Sequence, residues 1–249
     1  MLGKEKPFSG EGSKKMLNIV LFGGGVQVQY CIDIIERMKD TNGNRIYNIV
    51  GIIDSKAKID TNLFGYKVLG RQENIAHIAE ECGVRGGTIT IGDNYSRDIV
   101  RRAVEEKIPG FNWVNALHPS CIIGNNVKFG KGVVAMAGCI FNTGATLGDF
   151  TFFATGAQIE HDCTIEDFAS VSAGSVMGGF VRIGQYSAVT LGCTIMDRLS
   201  IGQNSVIGSG SLVHMNIPDN VLCYGSPVRV IRNRELGEKF LKGKSETIV

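Results

Sequence analysis

The sequence predicts two joined architectures: a Rossmann-like α/β domain with a parallel sheet over 17–114, then a parallel β-helix of hexapeptide repeats over 115–232. Three observations carry this. Apolar runs alternate with helical patterns in the first half. Apolar residues recur at every sixth position, without a break, in the second. Glycine is abundant, 33 residues in 249, and several glycines keep the same interval.

In the first half, LNIVLF (17–22) reads as a buried parallel strand and runs straight into Gly23, Gly24 and Gly25. Val28, Ile32, Ile35 and Met38 then share one helical face. YNIVGIID (47–54) is a second strand and TITIG (88–92) a third, while ENIAHIAEEC (73–82) and SRDIVRRAVEEK (96–107) are helices. Such alternation implies right-handed crossovers, with ligands at the carboxyl ends of the strands. Those ends carry the glycine turn and Asp54. A dinucleotide fingerprint would need G-x-G-x-x-G and an acidic residue about 20 positions on. Val28 replaces the third glycine and Asp54 lies too far downstream, so NAD is not expected. The turn either offers backbone N–H groups to another ligand's phosphates or sugar, or is simply tight.

In the second half, the series Leu117, Ile123, Phe129 and onward to Val213 is apolar throughout, and the residues four places later, from Cys121 to Ser211, are nearly all small. This is a packing rule for a three-sided coil. A large residue fills the centre of each short side and a small one fits near the corner. Three hexapeptides make an 18-residue coil, and coils stack at about 4.8 Å. A helix cannot produce a period of six on one face. Gly124, Gly130, Gly148, Gly178, Gly184, Gly202 and Gly208 follow the apolar position and are expected to supply turn conformations.

Composition excludes several partners. A net charge of +2 gives no basic field for nucleic acid, and no apolar stretch is long enough for a membrane span. Residues 1–16 lack a signal-peptide core and read as a flexible leader, with Met16 a possible alternative start; 233–249 reads as a C-terminal tail. Seven cysteines form no CxxC pair, and Cys121, Cys139, Cys163 and Cys193 fall on the small inward position, so they read as core filler in a reducing cytoplasm. Four scattered histidines make no metal site.

LNIVLFGGG at the start of the α/β domain, the hexapeptide repeat, IEHDC at 159–163 and YGSPVRVIR at 224–232 together resemble the PglD/NeuD-type sugar acetyltransferases. The resemblance spans about 17–232 and implies a left-handed β-helix forming homotrimers, with acetyl-CoA as co-substrate lying between subunits. It implies that the N-terminal domain holds a nucleotide-linked aminosugar, carried by UDP, dTDP or GDP. The matching positions are Gly25, Val26 and Gln27 in the turn, and Asp54 and Ser55 after the second strand. The family commonly reads G-x-G-G-H there, so Val26 and Gln27 depart from its pattern. By the same resemblance His161 is the catalytic base, Asp162 its acidic support, and Ser170, Gly179 and Leu191 match the coenzyme site. Ser170 stands where the bacillosamine enzymes carry a histidine.

The chemistry is consistent with these positions. Acetyl transfer from a thioester to a sugar amine, with C4 the expected carbon, requires an ammonium to lose a proton near neutral pH, and imidazole is suited to that. Among His77, His118, His161 and His214, only His161 sits mid-solenoid at an outward position. Adjacent residues along a strand point to opposite faces, so contact between His161 and Asp162 requires a corner there. No serine or cysteine triad is evident, and direct attack by the amine is expected. The Gly178–Gly179 backbone is the candidate oxyanion donor. Arg229 and Arg232 either meet coenzyme phosphates or lie in a solvated tail. A sialic acid O-acetyltransferase using the same base, and a non-catalytic binding solenoid, remain alternatives.

Overall fold

The computed structural model describes residues 16–240. The leader expected at 1–16 therefore lies, Met16 excepted, outside the described residues, as does 241–249 of the tail.

The first strand, β1 (Leu17–Phe22), alternates its side chains between two cores. Ile19 and Leu21 pack with helix α1 (Val26–Arg37), while Val20 and Phe22 pack with the helices of the opposite face. β2 (Tyr47–Ile53) runs parallel to β1. The chain after Asp54, to which the sequence reading assigns no element, forms a hairpin of β3 (Asn62–Leu63) and β4 (Tyr66–Gly70). Phe64 and Gly65, both at positive φ, make its two-residue turn, the geometry that suits a twisted hairpin. The helix expected at 73–82 is a 3₁₀ turn, Gln72–Asn74, continuing into α2 (Ile75–Glu81).

The third strand, β5, covers Gly86–Ile89, starting two residues earlier than TITIG predicts. Its glycines permit close approach: a Cβ at Gly87 would lie 2.8 Å from Phe22 Cε2, and one at Gly86 would lie 2.7 Å from the Asn112 carbonyl. Helix α3 (Asn94–Lys107) follows, capped by Asp93, whose carboxylate accepts from the Ser96 amide at 2.9 Å. The sheet order is β3-β4-β2-β1-β5. The connection reverses direction at β1, so the crevice beside the glycine turn is the topological switch point.

The second half is a left-handed β-helix. Two-residue strands stack in register at intervals of 18 residues, for example Phe141 on Ile123 and Ile159. Three faces result. The first contains Val134–Ala135, Phe152–Phe153, Ser170–Val171 and Ala188–Val189; the second contains Ile140–Phe141, Gln158–Ile159 and Val176–Met177; the third contains Thr146–Leu147, Thr164–Ile165 and Arg182–Ile183. The inward series is buried from Ala135 to Val213, but Ile123 is exposed in the first coil, where nothing stacks below it.

The structure corrects the role assigned to the repeat glycines. Gly124, Gly130, Gly148, Gly178, Gly184, Gly202 and Gly208 have no positive φ. They sit where the next coil presses close, as at Gly184, whose Cβ would lie 2.6 Å from the Gln203 amide. The left-handed corner conformation falls two residues later in each repeat and keeps the six-residue interval, through Gly144, Phe150, Gly156, Asp162, Phe168, Gly174, Phe180, Tyr186, Gly192 and Arg198. Six of these ten carry side chains, placing large groups on the edges.

The α/β domain covers the first face. Val134, Met136 and Phe152 join the α1-side core, while Phe150 and Phe168 join the other. The chain closes with Val221–Tyr224, antiparallel to Arg229–Asn233. Arg232 forms hydrogen bonds to Glu238, whose carboxyl is thereby pulled down to about 2. Arg232 is thus occupied with its own tail.

Candidate active site

His161 lies on the edge where the second face turns into the third. Its Nδ1 is 3.0 Å from Asp162 Oδ2, and both side chains are half exposed. Asp162 occupies a left-handed corner, φ 56°. That conformation turns its carboxylate back toward its neighbour, which a continuing strand would forbid. Asp162 accepts, so the geometry assigns the proton to Nδ1 and leaves the Nε2 lone pair open.

One coil further on, Gly179 supports the ring. A Cβ there would lie 2.6 Å from both Cε1 and Nε2 of His161. Gly144 gives Asp162 the same room, its imagined Cβ falling 2.6 Å from Oδ1. Phe180 meets the imidazole edge-on, with centroids 5.2 Å apart at 88°, and the Arg198 guanidinium lies 4.6 Å from the Phe180 centroid. Gly144, Asp162, Phe180 and Arg198 thus form one column at 18-residue spacing. Sequence reasoning missed Phe180 and Arg198, although extending the repeat register from Asp162 by 18 would have found them.

The Gly178 N–H already donates to the Ile195 carbonyl at 2.9 Å, so the expected glycine-pair donor reduces to Gly179, whose N–H has no partner among the described residues. Cys163 is no nucleophile. Burial pushes its thiol up to about 11, and the sulfur faces the Gly178 carbonyl at 3.2 Å.

The remaining expected positions lie elsewhere. Leu191 is exposed, but on the edge between the first and second faces. Ser170 is on the first face, buried under the α/β domain, and its hydroxyl has no partner among the described residues. Of the three coenzyme positions, Gly179 alone touches His161.

The glycine turn forms the second cluster. Gly25 is the N-cap of α1 with no side-chain cap, and Val26 is exposed beside half-buried Gln27. Asp54 ties this turn down. Oδ2 accepts from the Gly24 amide at 2.6 Å, and Oδ1 accepts from Lys56 and Ala57, both at 2.7 Å, leaving Ser55 exposed at the loop's surface. Among the described residues no group of metal ligands converges, and no helix is long and apolar enough to cross a membrane.

Comparison with known proteins bears on the fold and on the class of reaction. The family model of the PglD N-terminal domain matches residues 18–104. A histidine-to-alanine mutant of GDP-perosamine N-acetyltransferase from Caulobacter crescentus, in complex with CoA and GDP-perosamine, is similar at 26% identity, covering 87% of this chain and 97% of that one with a TM-score of 0.79. PerB from Caulobacter crescentus, with the same two ligands, is 28% identical over 86% of this chain and 97% of that one, TM-score 0.78. The acetyltransferase domain of PglB from Neisseria gonorrhoeae, in complex with acetyl-CoA, shares the fold at 21% identity, covering 87% and 100%, TM-score 0.76.

Proposed function

The chain belongs to the PglD/NeuD-type sugar acetyltransferases, and from that premise we propose that it moves the acetyl group of acetyl-CoA onto the 4-amino group of a nucleotide-linked amino-dideoxysugar, with His161 as general base. It is an acetyl-CoA-dependent acyltransferase. The observation that carries the residue-level reading is the His161–Asp162 pair on an open edge, its free Nε2 over Gly179.

In this mechanism Nε2 takes a proton from the sugar ammonium, and the freed amine attacks the thioester carbonyl. The Gly179 N–H receives the developing oxyanion. As the tetrahedral adduct collapses, the C–S bond breaks, the nitrogen's remaining extra proton leaves with the thiol, and the imidazolium returns its proton to solvent. Asp162 holds the Nδ1–H tautomer and favours the transient imidazolium. Phosphates of the nucleotide lie at the uncapped N-terminus of α1, where Gly25, Val26 and Gln27 present the chain, and Asp54 keeps that turn in shape from behind.

The site spans protomers. In a three-sided coil the His161 edge is opposite the face that the α/β domain covers. An acceptor held by that domain therefore meets the imidazole of a neighbour. Leu191 likewise lies on a different edge from Gly179, so one coenzyme touching both must lie between two chains. The second face and its edges expose Ile122, Val176, Phe180, Leu191, Met196 and Met215, a large uncovered apolar surface for one protein. A cyclic homotrimer covers it and builds three equivalent sites.

The test offers acetyl-CoA with UDP-, dTDP- and GDP-linked 4-amino-4,6-dideoxysugars, following thiol release. One nucleotide series should be turned over, and the enzyme should elute at three chain masses in light scattering. Turnover of free sialic acid with no aminosugar acetylated would replace this reading with O-acetylation.

A second expectation concerns Gly179. Gly179→Ala places a methyl group on the imidazole, and the ring must swing aside. The turnover number should fall about 10-fold or more, since small misplacements of a catalytic group are costly. The position of the ring in a crystal structure of the variant checks the cause.

A further inference from the structure

Helix α3 grips a ladder of carbonyls on the solenoid. Phe150, Phe168 and Tyr186 are each one coil apart, at the corners where the third face becomes the first, and all three have left-handed backbone. Arg97 Nε donates to the Phe150 carbonyl at 3.0 Å, and Arg97 Nη2 donates to that of Phe168 at 2.8 Å. Asn94 Nδ2 donates to the next rung, Tyr186, at 3.0 Å, and to Ser187 at 2.9 Å. Arg97 Nη2 also reaches Asn94 Oδ1 at 3.0 Å, which joins the two side chains into one clamp. The Tyr186 hydroxyl returns a bond to Asp98 Oδ2 at 2.7 Å.

The other end of the guanidinium holds the crevice. Arg97 Nη1 donates to the carbonyls of Ile91 and Gly92, at 3.2 and 2.9 Å, in the loop leaving β5. Ile91 in turn packs on the glycine turn, where a Cβ at Gly23 would fall 2.7 Å from its Cγ1. Arg97 is 1% exposed and has no carboxylate within salt-bridge distance among the described residues. Burying a guanidinium against carbonyls alone is costly unless nearly every donor is satisfied, and here the geometry satisfies them. The coil it grips, from Phe150 to Phe168, is the coil that bears His161.

We propose that Arg97 and Asn94 are positioning residues for acetyl transfer: they fix the height of the acceptor crevice along the solenoid, and with it the distance from a bound sugar amine to the imidazole. This rests on the functional reading above. In a cyclic trimer whose axis follows the coils, equal coils of neighbouring chains lie at equal height. The register set by Arg97 on its own solenoid is therefore also the register against the neighbour's His161. A slip by one rung would move the crevice by about 4.8 Å, and errors near 1 Å already cost up to about 10²-fold in rate.

The test uses the full chain carrying Asn94→Ala, Arg97→Lys or Arg97→Met. Turnover of the best nucleotide-linked aminosugar is normalised to the number of acetyl-CoA sites counted by calorimetry, and the dissociation constants of both substrates are measured separately. The expected result is a 10- to 100-fold loss in turnover per coenzyme site, with both dissociation constants within about 3-fold of wild type, because each half-site is intact and only their registration is lost. Arg97→Lys should not rescue, since one ammonium cannot span two rungs and the crevice loop. Unchanged turnover per site, full rescue by lysine, or weakened binding in step with turnover overturns the proposal. Should Arg97→Met not fold, Asn94→Ala decides, because it removes the third rung while leaving the guanidinium in place. A wild-type enzyme that acetylates no aminosugar would instead remove the functional reading, and this inference with it.

Discussion

His161→Ala is expected to lower turnover by about 10²- to 10⁴-fold, the range a positioned general base supplies, while acetyl-CoA affinity stays within a few-fold of wild type. The asymmetry follows from where the ring sits. The imidazole stands on the edge with Nε2 open and Nδ1 held 3.0 Å from Asp162, so removing it deletes the proposed proton acceptor and leaves the Gly179 amide and the edge backbone in place. The residual rate is then expected to come from proximity and the proposed oxyanion donor. Steady-state kinetics with calorimetric binding of acetyl-CoA check both halves. Full activity in the variant would move the base elsewhere. His77 pairs with Glu81 on α2 and His118 binds Ser120 at the solenoid's first turn, so neither contacts this column, while His214 follows Val213, three coils beyond Ile159.

Much of this site was legible because the repeat is a ruler. Counting from Ile159 places His161 outward, and the count alone identifies the coil. The relation between His161 and Asp162 was not legible in the same way, because strand geometry argues against contact between neighbours. The missing fact is that every sixth residue adopts left-handed backbone, and Asp162 is one of them. Glycine at Gly144, Gly156 and Gly174 hints at that phase. Phe150, Phe168, Phe180 and Tyr186 share it without the hint, so composition conceals the corner. The same concealment explains the misassigned glycines: Gly184 and its equivalents answer to the neighbouring coil, which a local reading of turn chemistry cannot see.

The α/β half was legible in its long apolar runs and less so where tertiary contacts decide. β1, β2 and α3 follow from pattern. The β3–β4 hairpin is short and turns on Phe64–Gly65, with no periodic signal to mark it, yet it extends the sheet beyond β2 and places Leu63 within 2.9 Å of where a Gly24 Cβ would be. Ser170 shows the limit for site residues. A family position can be matched by count, but whether the residue faces a groove or a covering domain depends on how the two halves dock, and here it is covered.

Phe141→Ala should cost about 3–5 kcal/mol, the upper range for truncating a buried core side chain. Phe141 is fully buried at the solenoid's centre. Its ring meets Phe129 at 5.4 Å and 82°, and Phe153 at 5.0 Å and 84°, so one truncation removes two edge-to-face contacts as well as the buried surface. The cavity cannot readily collapse, because hydrogen bonds from coil to coil hold the surrounding backbone: the Asn142 amide donates to the Ile159 carbonyl and the Gly124 amide to that of Phe141. For a chain of this size the melting temperature should drop by about 6–20 °C in a circular-dichroism melt. Coils in a solenoid contact only their neighbours, so hydrogen exchange should rise first in the strands stacked on Phe141, Ile122–Ile123 and Gln158–Ile159. The second of these leads directly to His161, so turnover should fail below the temperature at which the α/β domain unfolds. A melt within 2 °C of wild type would mean that the aromatic stack fills space without holding the coils together.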